Sequence, residues 1–169
     1  QTGAPPDFFS ALGQNWGFPT YDWPRMEAEG YAWWRQRLAR MSDCFDALRI
    51  DHILGFFRIW SIPANAVQGI MGRFDPCLPV YINEFGENGI WFDHQRYCRP
   101  FITDEILEVQ FGSGAENVKE GFLAANESGG YDLLPEFESQ VLVEKHFAEL
   151  EQTEENENLK LGLFDLISN

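Results

Sequence analysis

Ala47-Leu48-Arg49-Ile50-Asp51-His52-Ile53 is the stretch on which the fold turns. It is short, apolar and alternating, and Gly55 closes it. A period of two predicts a β-strand with Ala47, Arg49 and Asp51 on one face and Leu48, Ile50 and His52 on the other. Ahead of it, Asp22 can cap a helix whose first turn accepts Pro24. Tyr31, Trp34, Leu38 and Met41 then recur at helical spacing, so one amphipathic helix is expected over 24–42. A helix leading into a short strand with charges at its C-terminal end is the mark of a (β/α) unit. In barrels of such units the strand C-termini carry the catalytic groups.

Upstream, residues 1–6 read Gln-Thr-Gly-Ala-Pro-Pro, which is loop chemistry, and residues 3–23 are rich in Gly, Pro and aromatic rings without a steady period. Downstream, residues 56–62 read as a short aromatic helix or turn ending at Pro63. Residues 64–100 are turn-rich, with a short helix near Val67 to Met71. Helices are expected over 103–111, 115–125, 135–151 and 157–168, which makes the last 70 residues, roughly, mostly helical. The acid- and amide-rich run from Glu149 to Asn158 reads as a solvated linker or an exposed helix entry. The abrupt loop at one end and the uncapped amphipathic pattern at the other suggest a piece of a longer protein.

The 169 residues carry 12 Lys and Arg against 27 Asp and Glu, a net charge of −15. Such a surface repels phosphate backbones and anionic lipid, so nucleic acid and membrane are not expected partners. The charge is uneven. Residues 1–103 hold nine Arg against eleven acids, whereas residues 104–169 hold three Lys against sixteen. That shift places a boundary between Pro63 and Pro100. No apolar run approaches the roughly 20 residues of a membrane span, and no leader pattern opens the chain. Cys44, Cys77 and Cys98 have neither disulfide-framework nor zinc spacing, so reduced thiols and a cytoplasmic location are expected.

Arg49 and Asp51 form the strongest local chemical signal. A guanidinium beside a carboxylate keeps it ionised and orients it, and an ionised carboxylate at a strand end is a nucleophile; the same spacing also suits a structural ion pair at a barrel rim. Local context makes His52 a packed, hydrogen-bonded histidine. The pairs Asp51-His52 and Asp93-His94 do not suggest a metal, because adjacent strand residues point apart. The first loop, with Asp7, Phe8, Phe9, Gln14, Trp16, Tyr21 and Trp23, has the makings of a carbohydrate surface, where rings stack on sugar faces and polar groups bind hydroxyls; it also suits a plain core. Phosphate loops, nucleophile elbows and H-E-x-x-H motifs are missing, which removes the usual support for phosphotransfer, serine hydrolysis and zinc proteolysis.

Four blocks occur in order: Gly3-Ala-Pro-Pro-Asp7-Phe-Phe-Ser10; Gly13-Gln14-x-Trp16-Gly17-x-Pro19-x-Tyr21-Asp22-Trp23; Tyr31-x-Trp33-Trp34; and Leu48-Arg49-Ile50-Asp51-His52-x-x-Gly55-Phe56. Together they resemble the 4-α-glucanotransferases, the amylomaltases and disproportionating enzymes. The continuation through Trp60, with Gly89-Ile-Trp91 and Arg99-Pro100-Phe101, is similar to the plant-cytosolic-like subgroup, in which a helical insertion interrupts the barrel. The resemblance implies an α/β fold, a partial (β/α)8 TIM-barrel segment with a helix-rich insertion, mostly helical overall. Residues 1–63 would be barrel with the nucleophile strand, 64–156 the insertion, and 157–169 a helix returning to the barrel.

The same resemblance implies retaining transfer of α-1,4-glucan units between maltose, maltodextrin or glycogen-like glucans, with neither a metal nor an organic cofactor. Asp51 would be the nucleophile and Arg49 its orienting partner. His52 would touch the sugar at the cleaved bond; Asp7 and Phe8 would belong to a loop over the acceptor side, and Gln14 and Trp16 would contact glucan. Phe8 stands where many relatives carry tyrosine. The family's acid/base glutamate and third aspartate lie in motifs that do not occur here, so the chain alone is expected to be inactive. The rival readings are a non-catalytic glucan-binding module and a structural or oligomer-forming segment. Apolar surface left bare by a missing barrel would favour self-association.

Overall fold

Four short strands form one antiparallel sheet in the computed structural model, which describes residues 1–169. Thr2–Ala4 (β1) pairs with Gln14–Asn15 (β2) and with Ile59–Ser61 (β3), and β3 pairs with Arg73–Asp75 (β4), giving the order β2-β1-β3-β4. The register sets Gly3 opposite both Asn15 and Trp60, and Trp60 opposite Phe74. The opening residues are therefore strand where loop was expected. Residues 59–61, expected as helix or turn, are strand as well, because β1 and β4 flank them and supply ladder partners. Near Val67 to Met71 the helix is a single 3-10 turn, Gly69–Met71.

The expected helix over 24–42 is two helices, Trp23–Ala28 (α1) and Ala32–Ser42 (α2). Asp22 caps α1 by accepting from the Arg25 N–H at 3.1 Å, with Pro24 in the first turn. The break comes at Gly30 and Tyr31, both at positive φ (61° and 56°), where the Tyr31 N–H folds back to the Met26 carbonyl at 2.6 Å. A left-handed glycine after the last turn is a common helix stop, and here it overrides the continuous apolar spacing.

Residues 47–52 do not form the expected strand. They run as exposed irregular chain into a 3-10 turn, Ile53–Phe56, with His52 left-handed at φ 50°. Alternation states which faces a strand would have, but a strand exists only where a neighbour completes its hydrogen bonds. No other segment of this chain pairs with residues 47–53 as a strand.

From residue 82 onward the chain is largely helical. Ile82–Glu87 (α3) and His94–Cys98 (α4) precede Asp104–Phe111 (α5), Ala115–Phe122 (α6), Gln140–Ala148 (α7) and Glu154–Ser168 (α8). Helices and 3-10 turns cover 48% of the residues in a mixed helix and small-sheet architecture. Asp93 caps α4 through the N–H groups of Gln95 and Arg96.

The helix expected over 115–125 stops at Phe122. Leu123–Ala125 (β5) and Tyr131–Leu133 (β6) then pair as a hairpin. Asn126 closes its turn by accepting from the Ser128 and Gly130 N–H groups, both at 3.0 Å. The expected helix over 135–151 divides into a 3-10 turn, Pro135–Phe137, and α7. α8 starts at Glu154, before the expected 157, because Thr153 caps it and Glu154, Glu155 and Glu157 complement the N-terminal end of its dipole. Part of the acidic run thus opens a helix, the exposed helix entry that is one of its two readings.

Ile102, Leu107, Ala115, Val118, Leu123, Phe137, Val143, Phe147, Leu163, Phe164, Leu166 and Ile167 form one hydrophobic core, entirely within the second half of the chain. Outside that cluster the buried apolar side chains are Ile62 and Ala66, next to the sheet.

At the rim of this core, Lys119 Nζ reaches Asp104 at 2.6 Å and Glu116 at 2.7 Å, while the Tyr131 hydroxyl donates to Asp104 at 3.0 Å. The cluster joins α5, α6 and β6. The Lys119 hydrogen bond, and after it that of Tyr131, holds the Asp104 carboxyl below its usual 3.8. A carboxylate pKa depressed by folding stabilises above the unfolded value, and the contribution disappears as pH falls through the lower folded value. Asp104→Asn is therefore expected to flatten the acid limb of the stability curve below about pH 4. Urea unfolding of wild type and variant across that range checks it, and parallel acid limbs would refute it.

Candidate active site

An open cleft of about 970 Å³ lies on the first half of the chain. One wall is a chain of rings. Tyr21 packs on Trp23 and Trp34 at centroid distances of 5.1 and 5.4 Å, and Phe56 packs on Trp34 and Trp23 at 5.0 and 5.7 Å. These contacts tie α1, α2 and the 53–56 turn together with little aliphatic core beneath them. The Trp34 indole N–H is buried there without an acceptor.

Trp16, Arg49, Asp51 and His52 all line this cleft, and Asp7, Phe8 and Gln14 do not. Asp51 meets Arg49 at 3.8 Å, with both side chains about nine-tenths exposed. At that exposure the pair contributes little to stability. Its carboxylate, too far from Arg49 for a hydrogen bond, accepts none and stays open to a molecule in the cleft.

His52 owes its direction to its left-handed backbone. The ring stands edge-on to Trp16 at 5.2 Å and over Gly55, where an added Cβ would lie 2.9 Å from the His52 Cδ2. It is exposed, and packing rather than a hydrogen bond holds it, which corrects the local expectation of a hydrogen-bonded histidine.

Gln14 acts on the cleft at one remove, because its Oε1 accepts from the Trp16 Nε1 at 3.0 Å. Asp7 builds its own loop. Its carboxylate accepts from the N–H groups of Phe9 and Ser10 at 2.9 and 2.8 Å, and Ser10 Oγ donates to the Gly13 carbonyl at 2.6 Å. Phe8, at 98% exposure, projects from that loop and touches Phe9 edge to face at 5.6 Å.

Arg58, over the Phe74 ring at 4.0 Å, together with Arg37 and Asp75, adds charge to the cleft walls that the sequence had not singled out. No three His, Cys, Asp or Glu side chains are grouped to hold a metal ion. What the cleft offers is a free carboxylate flanked by a guanidinium, an imidazole and stacked rings. That set suits a neutral, hydroxyl-rich ligand with apolar faces.

A profile of the 4-alpha-glucanotransferase family matches residues 1–162. The chain belongs to this family. It is 41% identical to the 4-alpha-glucanotransferase DPE2 of rice (Oryza sativa subsp. japonica) over 175 aligned residues, 99% of the chain and 18% of the rice protein. The chloroplastic/amyloplastic 4-alpha-glucanotransferase of potato (Solanum tuberosum) is 38% identical over 69% of the chain and 23% of its own length. The 4-alpha-glucanotransferase of Thermus thermophilus is 44% identical over 68% of the chain and 26% of its own. The chain thus spans about a fifth to a quarter of these family members. Within the 4-alpha-glucanotransferase family, the rice protein aligns along nearly the whole chain, while the potato and Thermus proteins align along two thirds of it.

Proposed function

We propose that this chain is the nucleophile-bearing part of a 4-alpha-glucanotransferase, a hexosyltransferase that moves α-1,4-glucan units from maltose or maltodextrin to an acceptor glucan with retention. The observation that carries this reading is the gathering of Trp16, Arg49, Asp51 and His52 on one aromatic-walled cleft in a chain of that family.

In the first step an Asp51 carboxylate oxygen bonds to the anomeric carbon of the donor. The glycosidic bond breaks, and the leaving oxygen takes a proton from a second carboxyl group. In the next step an acceptor hydroxyl gives its proton to that group and displaces Asp51, restoring the original anomeric configuration. Arg49 orients the Asp51 carboxylate and His52 contacts the sugar at the cleaved bond. Trp16, steadied by Gln14, stacks on the glucan. The Asp7 to Gly13 loop, with Phe8 at its tip, covers the acceptor side.

Retention requires the second carboxyl about 5 Å from the nucleophile. No glutamate of this chain is assigned that part. It is supplied by the rest of the full-length protein, so the chain alone is inactive.

We assign residues 1–63 to a (β/α)8 barrel, in which 47–53 becomes a strand once barrel neighbours flank it. Residues 64–156 form the insertion and 157–169 the returning helix. The alignment of 99% of the chain with the rice protein supports the subgroup that carries an insertion. Three exposed free cysteines suit a reducing, cytoplasmic setting, and no helix is long and apolar enough to cross a membrane. Nucleic acid and membrane remain poor partners for a chain of net charge −15. Bare apolar side chains such as Leu78 and Trp91 favour self-association of the chain in isolation.

The open, loosely held Arg49–Asp51 pair also suits glucan binding without chemistry by the chain on its own. Titration with maltoheptaose is expected to show saturable binding. Trp16→Ala is expected to weaken it about tenfold, because one stacked ring is worth roughly 1.4 kcal/mol. Equal affinities for the two proteins would remove Trp16 from the glucan surface.

A further inference from the structure

Gln140 is 1% exposed, a polar side chain beside the hydrophobic core. Its carboxamide is fully used. Oε1 accepts from the backbone N–H groups of Val67 and Gln68, each at 2.9 Å, and Nε2 donates to Gln68 Oε1 at 2.8 Å and to the Phe164 carbonyl at 3.5 Å. Next to it, the Val141 N–H donates to the Asn65 carbonyl at 3.2 Å. The start of α7 therefore grips residues 65–68 from more than seventy positions away. A buried amide satisfied in this way fixes geometry, because each partner lost leaves a desolvated group unpaired.

The gripped segment in turn holds β2, the edge strand that leads directly into Trp16. Asn15 Nδ2 donates to the Val67 carbonyl at 3.0 Å, while Asn15 Oδ1 accepts from the Gly17 N–H at 3.0 Å. Asn15 thus braces the chain on both sides of Trp16. The Ile70 N–H donates to the Leu12 carbonyl at 2.7 Å, and the Trp60 Nε1 donates to the Gly69 carbonyl at 2.7 Å. Gly69 lies so close to Gly13 and Gln14 that a Cβ there would collide with the Gln14 backbone. Trp16 then packs perpendicular to the His52 ring.

We propose that Gln140 is a positioning residue for glucan binding: from the helical half it fixes residues 65–71, and through Asn15 these set Trp16 at the cleft. The inference rests on the glucan-cleft reading above. It makes the acidic helical half a determinant of substrate affinity, although that half contributes no residue to the cleft.

The test uses the full-length enzyme. Gln140→Met keeps the volume and removes the acceptor. It is expected to raise KM for maltodextrin roughly tenfold with kcat within about twofold, and to weaken maltoheptaose binding in parallel. Gln140→Glu keeps one oxygen for the Val67 and Gln68 N–H groups but turns a second towards the Gln68 Oε1 and the Phe164 carbonyl, so it is expected to raise KM as well. Asn15→Ala should raise KM in the same way, and adding it to Gln140→Met should cost little more, since both act through one segment.

A folded Gln140→Met with normal KM overturns the inference, as does a full additive penalty from Asn15→Ala. Should Gln140→Met not fold, Asn15→Ala decides, and a normal KM in that variant overturns it. Weakened maltoheptaose binding in Gln140→Met supports the inference even where Asp51→Asn still transfers glucan, because binding needs no nucleophile. Normal binding in Gln140→Met beside an inactive Asp51→Asn overturns the inference alone and leaves the glucanotransferase reading standing.

Discussion

Asp51→Asn in the full-length enzyme is expected to abolish glucan transfer, with kcat falling by at least about 10⁴-fold, the scale on which loss of a covalent nucleophile is felt. The exchange keeps size and removes charge. In the structure the only group paired with the Asp51 side chain is Arg49, at 3.8 Å and largely in solvent. Removing so exposed a pair costs little stability, so the variant should fold and bind maltodextrin normally while forming no glucosyl ester. Chromatography of maltodextrin products after incubation with maltotriose reads the outcome directly. Transfer at near wild-type rate would reject Asp51 as nucleophile and return the Arg49–Asp51 pair to a structural role.

Leu163→Ala is expected to lower the stability of the chain by about 2–5 kcal/mol, a fall in Tm of roughly 10 °C. Leu163, on α8, is fully buried in the hydrophobic core of the second half, and truncating it leaves a cavity in that cluster. Val109 provides the contrast. It lies on α5 at 89% exposure, and Val109→Ala should change stability by no more than about 0.5 kcal/mol. Urea unfolding of the three proteins decides the matter. Equal midpoints would mean that the second half is not the stabilising core.

The two predictions concern different halves because the chain divides its labour. Residues 102–167 bury nearly all the aliphatic core, and residues 1–63 hold the candidate chemistry on a small sheet and a set of stacked rings. The halves meet at Gln140, whose carboxamide is the buried polar link between α7 and residues 67–68.

Residue types and spacing in the sequence were sufficient for the family, the Asp22 helix start and the helical character of the second half; they also singled out Trp16, Arg49, Asp51 and His52, which the structure brings to one cleft. These depend on local chemistry: a capping side chain and the N–H it accepts from are three residues apart, and a motif is a fixed spacing. Tertiary structure alone decided the rest. Residues 59–61 became strand and residues 47–53 did not, although the latter alternate, because ladder bonds need a neighbour and only the former have one. The helix over 24–42 broke at Gly30 and Tyr31 because the backbone turns left-handed there, a choice that apolar periodicity does not encode. Gln140 passed unnoticed in the sequence for the same reason. A glutamine on a helix is ordinarily a surface residue, and its importance here comes from partners 72 and 73 positions away, brought within hydrogen-bond reach only when both halves fold together.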